Sequence, residues 1–152
     1  MDGQKRMEAY LDKTMHENNV GQEKTINGMM KSVKVGCSYE DKSISLGFPV
    51  LQWQANRAGM MHGGAICTAF DMAAAAVARF CAGENYAPTI SLDVKYIRPV
   101  KLGDTMIVTA KATAAGKRIT QIVCEAVSQE TGKLVATAAT VYMNVDTTKE
   151  KR

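Results

Sequence analysis

Closely spaced cysteine pairs, a secretory leader and a strong charge of one sign are all missing from this sequence of 152 residues. Cys37, Cys67, Cys81 and Cys124 include no CxxC spacing, and each lies in an apolar segment. We therefore expect free thiols rather than disulfides or a metal site. Residues 1–10 contain no apolar run of the kind that directs secretion. Both absences favour the reducing cytoplasm as the location.

The net charge is small, at +4, and part of the excess lies in the last four residues, 149–152. We expect residues 146–152 to form a flexible, solvated tail. A balance of this kind lacks the concentrated positive stripe of a nucleic-acid-binding protein, so no nucleic-acid partner is expected. It remains compatible with a small polyanionic ligand.

A long uncharged hydrophobic run is also missing. The longest apolar stretch, residues 65–82, contains Asp71 and Arg79. A bilayer tolerates such charges poorly, so the stretch predicts a helix buried inside a soluble protein, with no membrane partner. The length and a hydrophobic content of 46% fit one compact domain with a real core.

The remaining segments follow a simple order. An amphipathic pattern predicts an N-terminal helix over residues 2–18, and the polar residues 19–28 form a connection. Alternating patterns and turn signals predict the remaining elements, which are extended segments at 33–39, 44–48 and 50–55, a helix from 62–64 to about 83, and four strands ending with 134–145.

Strands joined by short connections imply an antiparallel sheet, because parallel pairs need crossovers. A helix that is apolar nearly all round must be covered on most sides. A curved antiparallel sheet wrapped around one long helix meets both demands, which predicts the α+β hotdog fold with an additional N-terminal helix. The predicted divisions are 1–28 for the helix and connection, 29–145 for the main domain and 146–152 for the tail.

The segment 56–64 and Asp71 carry the chemistry. Glycines at a helix start allow close approach of a ligand, and the free N–H groups there suit an oxygen that gains negative charge. A carboxylate in an apolar helix either pairs with a cation of its own sheet or has a chemical task. Gly63 and Asp71 lie eight positions apart, about 12 Å along a helix. One chain therefore cannot bring both to one carbonyl, whereas two antiparallel helices related by a two-fold axis can.

The pattern of Asn56, Gly59, His62-Gly63-Gly64 and Asp71 resembles the PaaI-type thioesterases of the 4-hydroxybenzoyl-CoA thioesterase superfamily. The likeness continues through residues 96–99 and 102–104 and spans about 50–144. A lone His-Gly-Gly is weak evidence, but these spacings together are specific.

The resemblance implies the following roles. The Gly63 N–H would polarise a thioester carbonyl, and Asp71 of the partner chain would act as nucleophile or general base. Asn56 would hold the attacking water or the substrate. His62 would fix the loop by bonding to backbone, and a purely structural imidazole is as compatible with the pattern as a catalytic one.

Further binding residues follow from the same resemblance. Family members place a Ser or Thr on the strand after the helix, directed at the carboxylate. Thr89 and Ser91 are expected to share one strand face, and Ser91 is favoured, although both could be ordinary polar-face residues. Gly64 would adjoin the substrate. The candidates for the CoA phosphates are Arg98, Lys117 and Arg118, and those for an acyl pocket are Trp53, Met60, Met61 and Phe70.

The leading hypothesis is hydrolysis of an acyl-CoA to a free acid and CoA by a homodimer, without a metal or redox cofactor. A dimer of dimers is the larger assembly that this fold allows. A hydroxyacyl-thioester dehydratase is an alternative, but the sequence offers only His16 and His62, and His62 leads directly into Gly-Gly. A non-catalytic acyl-CoA-binding or regulatory module is a third reading, which Asp71 disfavours. The acyl group and the choice between nucleophile and base stay open.

Overall fold

The computed structural model describes residues 2–146. The predicted tail, 146–152, lies outside these residues apart from Asp146. The elements in chain order are α1 Gly3–Asn19, α2 Ile26–Met29, β1 Val33–Ser38, β2 Ser43–Pro49, a 3₁₀ turn Gln52–Gln54, α3 Gly63–Cys81, β3 Thr89–Tyr96, β4 Thr105–Ala115, β5 Ile119–Ser128 and β6 Leu134–Met143.

The six strands form one antiparallel sheet in the order β1-β2-β4-β5-β6-β3, and α3 contacts β2 through β6. The predicted hotdog architecture is therefore confirmed. Large side chains from both layers are fully buried between helix and sheet, among them Phe48, Phe70, Ile122 and Tyr142. Burial of this apolar surface supplies the main stabilisation of the fold.

Helix α3 is covered on most of its circumference but not all of it. It is long and apolar enough to cross a membrane, yet 56% of its most apolar window is buried inside the protein, as in a core helix. Several of its positions that are not fully buried recur every three or four residues, at Gly64, Thr68, Asp71, Ala75 and Arg79. Residues so spaced lie on one helix face. A single stripe of α3 that contains Asp71 is thus left uncovered by the sheet.

The expectation of an extended segment at residues 50–55 is wrong beyond its first residues. The Leu51 N–H donates to the Gln54 side-chain oxygen over 3.1 Å, which closes a 3₁₀ turn. Gln54 is 2% exposed, so its polar side chain is satisfied within the turn instead of pointing from a strand. The connection 19–28 also contains the start of α2, where the Thr25 side chain accepts a hydrogen bond from the Gly28 N–H.

Helix α1 packs its predicted apolar stripe against the rest of the domain. Met7, Tyr10 and Leu11 are buried, and the Tyr10 hydroxyl donates to the Ala76 carbonyl over 2.8 Å. Because Ala76 lies in the second half of α3, α1 covers that end and leaves the start of α3 open.

All four cysteines are free thiols in the structure. Cys124 is buried, and burial raises the pKa of its thiol to about 12.

Candidate active site

The loop before α3 is built around the side chain of Asn56. Its Oδ1 accepts hydrogen bonds from the N–H groups of Ala58 and Met60 at 2.9 and 3.1 Å. Gly59 adopts a positive φ of 73°, a conformation that glycine takes without strain and that closes this turn. Since Oδ1 is occupied, only the Nδ2 donor of Asn56 is left to serve a ligand, and no acceptor for it lies among residues 2–146.

His62 caps the first turn of α3. Its Nδ1 accepts from the Gly64 N–H at 2.9 Å, and its carbonyl accepts from Ala65 and Ile66 at 2.9 and 3.1 Å. Because Nδ1 is an acceptor, the neutral imidazole carries its proton on Nε2. The Ile66 bond is the first regular bond of the helix, and the N–H of His62 itself donates to the Gln54 carbonyl at 2.8 Å. Of the four N–H groups that a helix start leaves unpaired within the helix, those of His62, Gly64 and Ala65 are therefore used. The Gly63 N–H alone has no acceptor in the part of the chain that the structure describes.

A groove of about 620 Å³ opens beside this helix start. Asn56 and Gly63 contribute its hydrogen-bond donors, and Arg98 contributes a cation. The remaining lining residues are mostly apolar and are Met60, Met61, His62, Gly64, Ile66, Tyr96, Ile97 and Pro99. An apolar groove with a few convergent donors is typical of a small-molecule site.

Tyr96 on β3 closes one side of Gly63. Its hydroxyl donates to the Gly63 carbonyl over 2.9 Å and lies 3.0 Å from the Cys67 thiol. The hydrogen bond to Cys67, followed by partial burial, raises the pKa of Tyr96 to about 12. A Cβ at position 63 would lie 3.2 Å from the Tyr96 ring, a tight contact that glycine avoids.

A second cluster surrounds Asp71 farther along α3. Asp71 Oδ1 accepts hydrogen bonds from Thr89 Oγ1 and from the Tyr142 hydroxyl, both at 2.7 Å. Oδ2 has no partner among residues 2–146. Burial, and then the hydrogen bond to Asp71, raise the pKa of Tyr142, so its hydroxyl remains a donor. Among the described residues no ion pair includes Asp71, so the structure does not show the cation partner that was considered.

The preference for Ser91 over Thr89 is wrong in geometry. A register shift between Thr89 and Ser91 pairs Thr89 with Tyr142 but Ser91 with Val141. Directly paired residues of an antiparallel sheet share a face, so Thr89 faces α3 with Tyr142 while Ser91 faces away. The assumption that Thr89 and Ser91 share a face failed because a bulge cannot be read from alternation alone.

The two clusters lie apart within one chain. Asn56, His62, Gly63 and Gly64 line the groove, whereas Asp71 does not line it. The eight positions between Gly63 and Asp71 correspond to about 12 Å of helix, as the spacing predicted.

The candidate phosphate-binding cations are also separated. Arg98 lines the groove and donates from Nη1 to the Leu134 carbonyl at 3.0 Å. Lys117 lines a different cavity together with Cys81, the last residue of α3, and Arg118 follows Lys117 in the chain. Cys81 lies about 27 Å from Gly63 along the helix. A further cavity, not anticipated from the sequence, shares Arg98 with the groove and adds Lys101 and Lys133.

The candidates for an acyl pocket divide in the same way. Met60 and Met61 line the groove. Phe70 is fully buried in the core, and Trp53 is 47% exposed with its indole N–H donating to the Met29 carbonyl. Only the two methionines therefore adjoin the donors at the start of α3.

The sequence analysis did not identify Tyr142 as a site residue, and it used Tyr96 only as part of the family pattern at residues 96–99. Tyr142 had a usable signal, because it alternates with buried residues of β6 and so faces α3. The hydroxyl contact of Tyr96 had none, since it depends on how β3 crosses the start of the helix.

Comparison with known proteins identifies the family of this chain. The profile of the thioesterase superfamily matches residues 58–135, just over half of the chain. Mouse acyl-coenzyme A thioesterase 13 is 32% identical over 89 residues, which are 57% of this chain and 62% of that protein. The match thus spans about three fifths of that relative's length.

Solved structures agree in fold. The E. coli PaaI protein from the phenylacetic acid degradation operon superposes with a TM-score of 0.78 at 19% identity, covering 95% of this chain and 97% of that one. An acyl-CoA hydrolase from Staphylococcus aureus, solved with butyryl-CoA and CoA, gives a TM-score of 0.65 at 23% identity, covering 72% of this chain and 66% of that one. The profile match, on a segment that contains the helix start, Asp71 and Thr89, shows that this chain belongs to the thioesterase superfamily.

Proposed function

We propose that this protein hydrolyses acyl-CoA thioesters to a free acid and CoA, in active sites shared between the two chains of a homodimer. The observation that carries the proposal is the pair of groups on the uncovered side of α3. A free N–H stands at the helix start, and a carboxylate with one open oxygen stands eight residues on.

The Gly63 N–H is suited to polarise the thioester carbonyl. It lies at the positive end of the α3 dipole and has no competing acceptor in residues 2–146. Its neighbours Gly64, Ala65 and Ile66 are already bonded to His62. A donor aimed at a developing oxyanion typically accelerates acyl transfer by about 100- to 1000-fold. The free Nδ2 of Asn56, which lines the same groove, would hold the attacking water or the substrate beside it.

Asp71 is suited to the attack on the carbonyl carbon. Thr89 and Tyr142 hold Oδ1 and leave Oδ2 open. As a general base, Asp71 takes a proton from water while the water oxygen bonds to the carbonyl carbon. The C–S bond then breaks, and the CoA sulfur leaves as a thiolate that takes up a proton. As a nucleophile, Oδ2 bonds to the carbonyl carbon, the C–S bond breaks and the CoA thiolate leaves and takes up a proton. Water then hydrolyses the resulting mixed anhydride to the free acid and restores the Asp71 carboxylate. Both courses need no metal or redox cofactor.

Two chains are needed because the two groups are about 12 Å apart on one helix. The uncovered stripe of α3 lies beside β3, which is an edge strand of the sheet. Ile90 and Tyr96 of this strand and the adjacent Ile97 are exposed. An unpaired edge with apolar side chains readily pairs with another chain. A two-fold pairing with antiparallel α3 helices would set Asp71 of each chain against Gly63 of the other, giving two equivalent sites. Two such dimers could associate into a tetramer, and the tetramer would contain four equivalent sites.

The CoA moiety would extend from Gly63 past Arg98. Arg98 joins the groove to the cavity that contains Lys101 and Lys133, and none of the three forms an ion pair among residues 2–146. Lys117 and Arg118 lie at the opposite end of α3, so they reach the same substrate only from the partner chain. The names of the relatives, an acyl-coenzyme A thioesterase and an acyl-CoA hydrolase with bound CoA, support this substrate class. The free thiols suit a cytoplasmic location.

The deciding experiment is thiol release from a panel of acyl-CoAs, followed with a thiol-reactive dye. Asp71→Asn should reduce turnover at least about 100-fold while the dimer persists in sedimentation. Asp12→Asn, an exposed carboxylate on α1, is the matched control and should keep the wild-type rate. No release from any thioester with acyl-CoA binding retained would favour a binding module. Formation of an enoyl-CoA from a hydroxyacyl-CoA would favour the dehydratase.

A further inference from the structure

The peptide group between Gly63 and Gly64 is hydrogen-bonded by a side chain at each end. Its carbonyl accepts from the Tyr96 hydroxyl at 2.9 Å, and its N–H donates to His62 Nδ1 at 2.9 Å. The two side chains come from different elements, since Tyr96 ends β3 and His62 precedes α3. The plane of this one peptide is therefore fixed by contacts from two sides.

Such fixing matters because two adjacent glycines have the greatest backbone freedom of any dipeptide. The Gly63 N–H belongs to the preceding peptide, His62–Gly63, whose carbonyl accepts from the N–H groups of Ala65 and Ile66. Holding the Gly63–Gly64 peptide as well limits rotation about the Gly63 torsions, and an oxyanion donor works only when it is already aimed.

The hydrogen bonds on the two sides of this peptide run in one direction. Tyr96 donates to the Gly63 carbonyl, and the Gly64 N–H of that same peptide donates to His62. The Cys67 sulfur lies 3.0 Å from the Tyr96 hydroxyl. Bonds arranged head to tail polarise and strengthen one another. The pKa of Tyr96, raised to about 12, keeps its hydroxyl a donor at neutral pH.

We propose that Tyr96 and His62 are paired positioning residues that clamp the Gly63–Gly64 peptide and so aim the Gly63 N–H at the substrate carbonyl. This inference rests on the proposed thioester hydrolysis. It gives His62 the task of a helix cap and excludes it from proton transfer. Tyr96 acquires a role that its position on the strand alone does not suggest.

The clamp predicts specific changes in kcat and KM, measured with an acyl-CoA that the wild-type protein hydrolyses. Tyr96→Phe and His62→Ala should each lower kcat about tenfold, with KM within about twofold, because the binding surface stays in place. The double variant should lose less than the product of the two effects, because both side chains hold one peptide. Tyr86→Phe, which removes an exposed tyrosine hydroxyl elsewhere, should match wild type.

His62→Asn separates capping from proton transfer. Asparagine is among the best N-cap residues, and its side-chain oxygen can accept from the Gly64 N–H. Recovery of most of the wild-type kcat in His62→Asn, against the loss in His62→Ala, supports the clamp. An Asn variant as slow as the Ala variant, or Tyr96→Phe at the full wild-type rate, overturns it.

Amide exchange tests the clamp independently of any activity. In wild type the Gly64 N–H should be protected from exchange, and both His62→Ala and Tyr96→Phe should reduce that protection. The melting temperature should shift by no more than about 4 °C, the size expected for loss of one cap or hydrogen bond in a chain of this length. If wild type cleaves no thioester but these exchange changes appear, the proposed reaction fails while the clamp remains. Unchanged exchange at Gly64 in both variants overturns the clamp itself.

Discussion

Tyr142 and Asp71 are joined by a 2.7 Å hydrogen bond between the end of β6 and the middle of α3. Tyr142 is completely buried, and its hydroxyl also lies 2.9 Å from the Asp71 carbonyl oxygen. The contact ties the orientation of the carboxylate to the packing of the core. Thr89, on β3, donates to the same carboxylate oxygen as Tyr142, Oδ1. Oδ2 is therefore the carboxylate oxygen that both partners leave available.

Tyr142→Phe should therefore weaken catalysis and stability together. Loss of the hydroxyl removes one donor to Asp71 and leaves its carboxylate less well oriented, so kcat should fall about tenfold. Loss of a buried hydrogen bond should lower the free energy of unfolding by about 1–2 kcal/mol. Thiol-release kinetics and urea unfolding measure the two effects. A variant that unfolds earlier but turns over at the wild-type rate would show that the contact is only structural.

Thr89→Val and Ser91→Ala should differ sharply. Thr89 donates to Asp71, whereas Ser91 faces away from α3 because of the bulge in β3. We expect Thr89→Val to lower kcat about five- to tenfold and Ser91→Ala to keep the wild-type value. Parallel kinetics on the two purified variants check this. The reverse order would mean that the bulge shifts when the two chains associate.

Much of the fold was predictable because periodicity records which side chains are buried. Pattern and spacing predicted the long apolar helix with its single carboxylate, the glycines at the N-terminal end of that helix and the four strands after it. The bulge between Thr89 and Ser91 did not, because it inserts one residue without changing the composition of the strand. The 3₁₀ turn at Gln54 was missed for a related reason, since a side chain closes it.

Some of the site residues could be predicted from the sequence and others could not. Gly63 and Asp71 could be singled out because a glycine pair at a helix start and a carboxylate in an apolar helix are unusual locally. Tyr96 and Tyr142 reach the site from strands distant in sequence, and their hydroxyl contacts depend on tertiary packing. Charge alone could not show which of the candidate cations lie near the site. Lys117 and Arg98 carry the same charge but lie at opposite ends of α3.

Removal of cations should identify where the nucleotide of CoA binds. Lys101→Ala combined with Lys133→Ala should raise KM for an acyl-CoA severalfold, because the two residues line the cavity that continues the groove at Arg98. KM for the corresponding acyl-pantetheine, which lacks the nucleotide, should not change. Lys117→Ala combined with Arg118→Ala is the comparison pair. A larger CoA-specific effect from that pair would place the phosphates on the partner chain.

Mixing two inactive variants should restore activity if each site draws on both chains. In a heterodimer of Asp71→Asn and Asn56→Ala, one site contains both defects and the other contains neither, because Asn56 and Asp71 of one chain serve opposite sites. Equal amounts, unfolded and refolded together, should recover about a quarter of the wild-type rate, since half of the dimers are mixed and each has one intact site. The two variants refolded separately and then assayed together serve as the control. If the mixture stays inactive although mass spectrometry detects the heterodimer, Asn56 and Asp71 act within one chain, and the shared site must be abandoned.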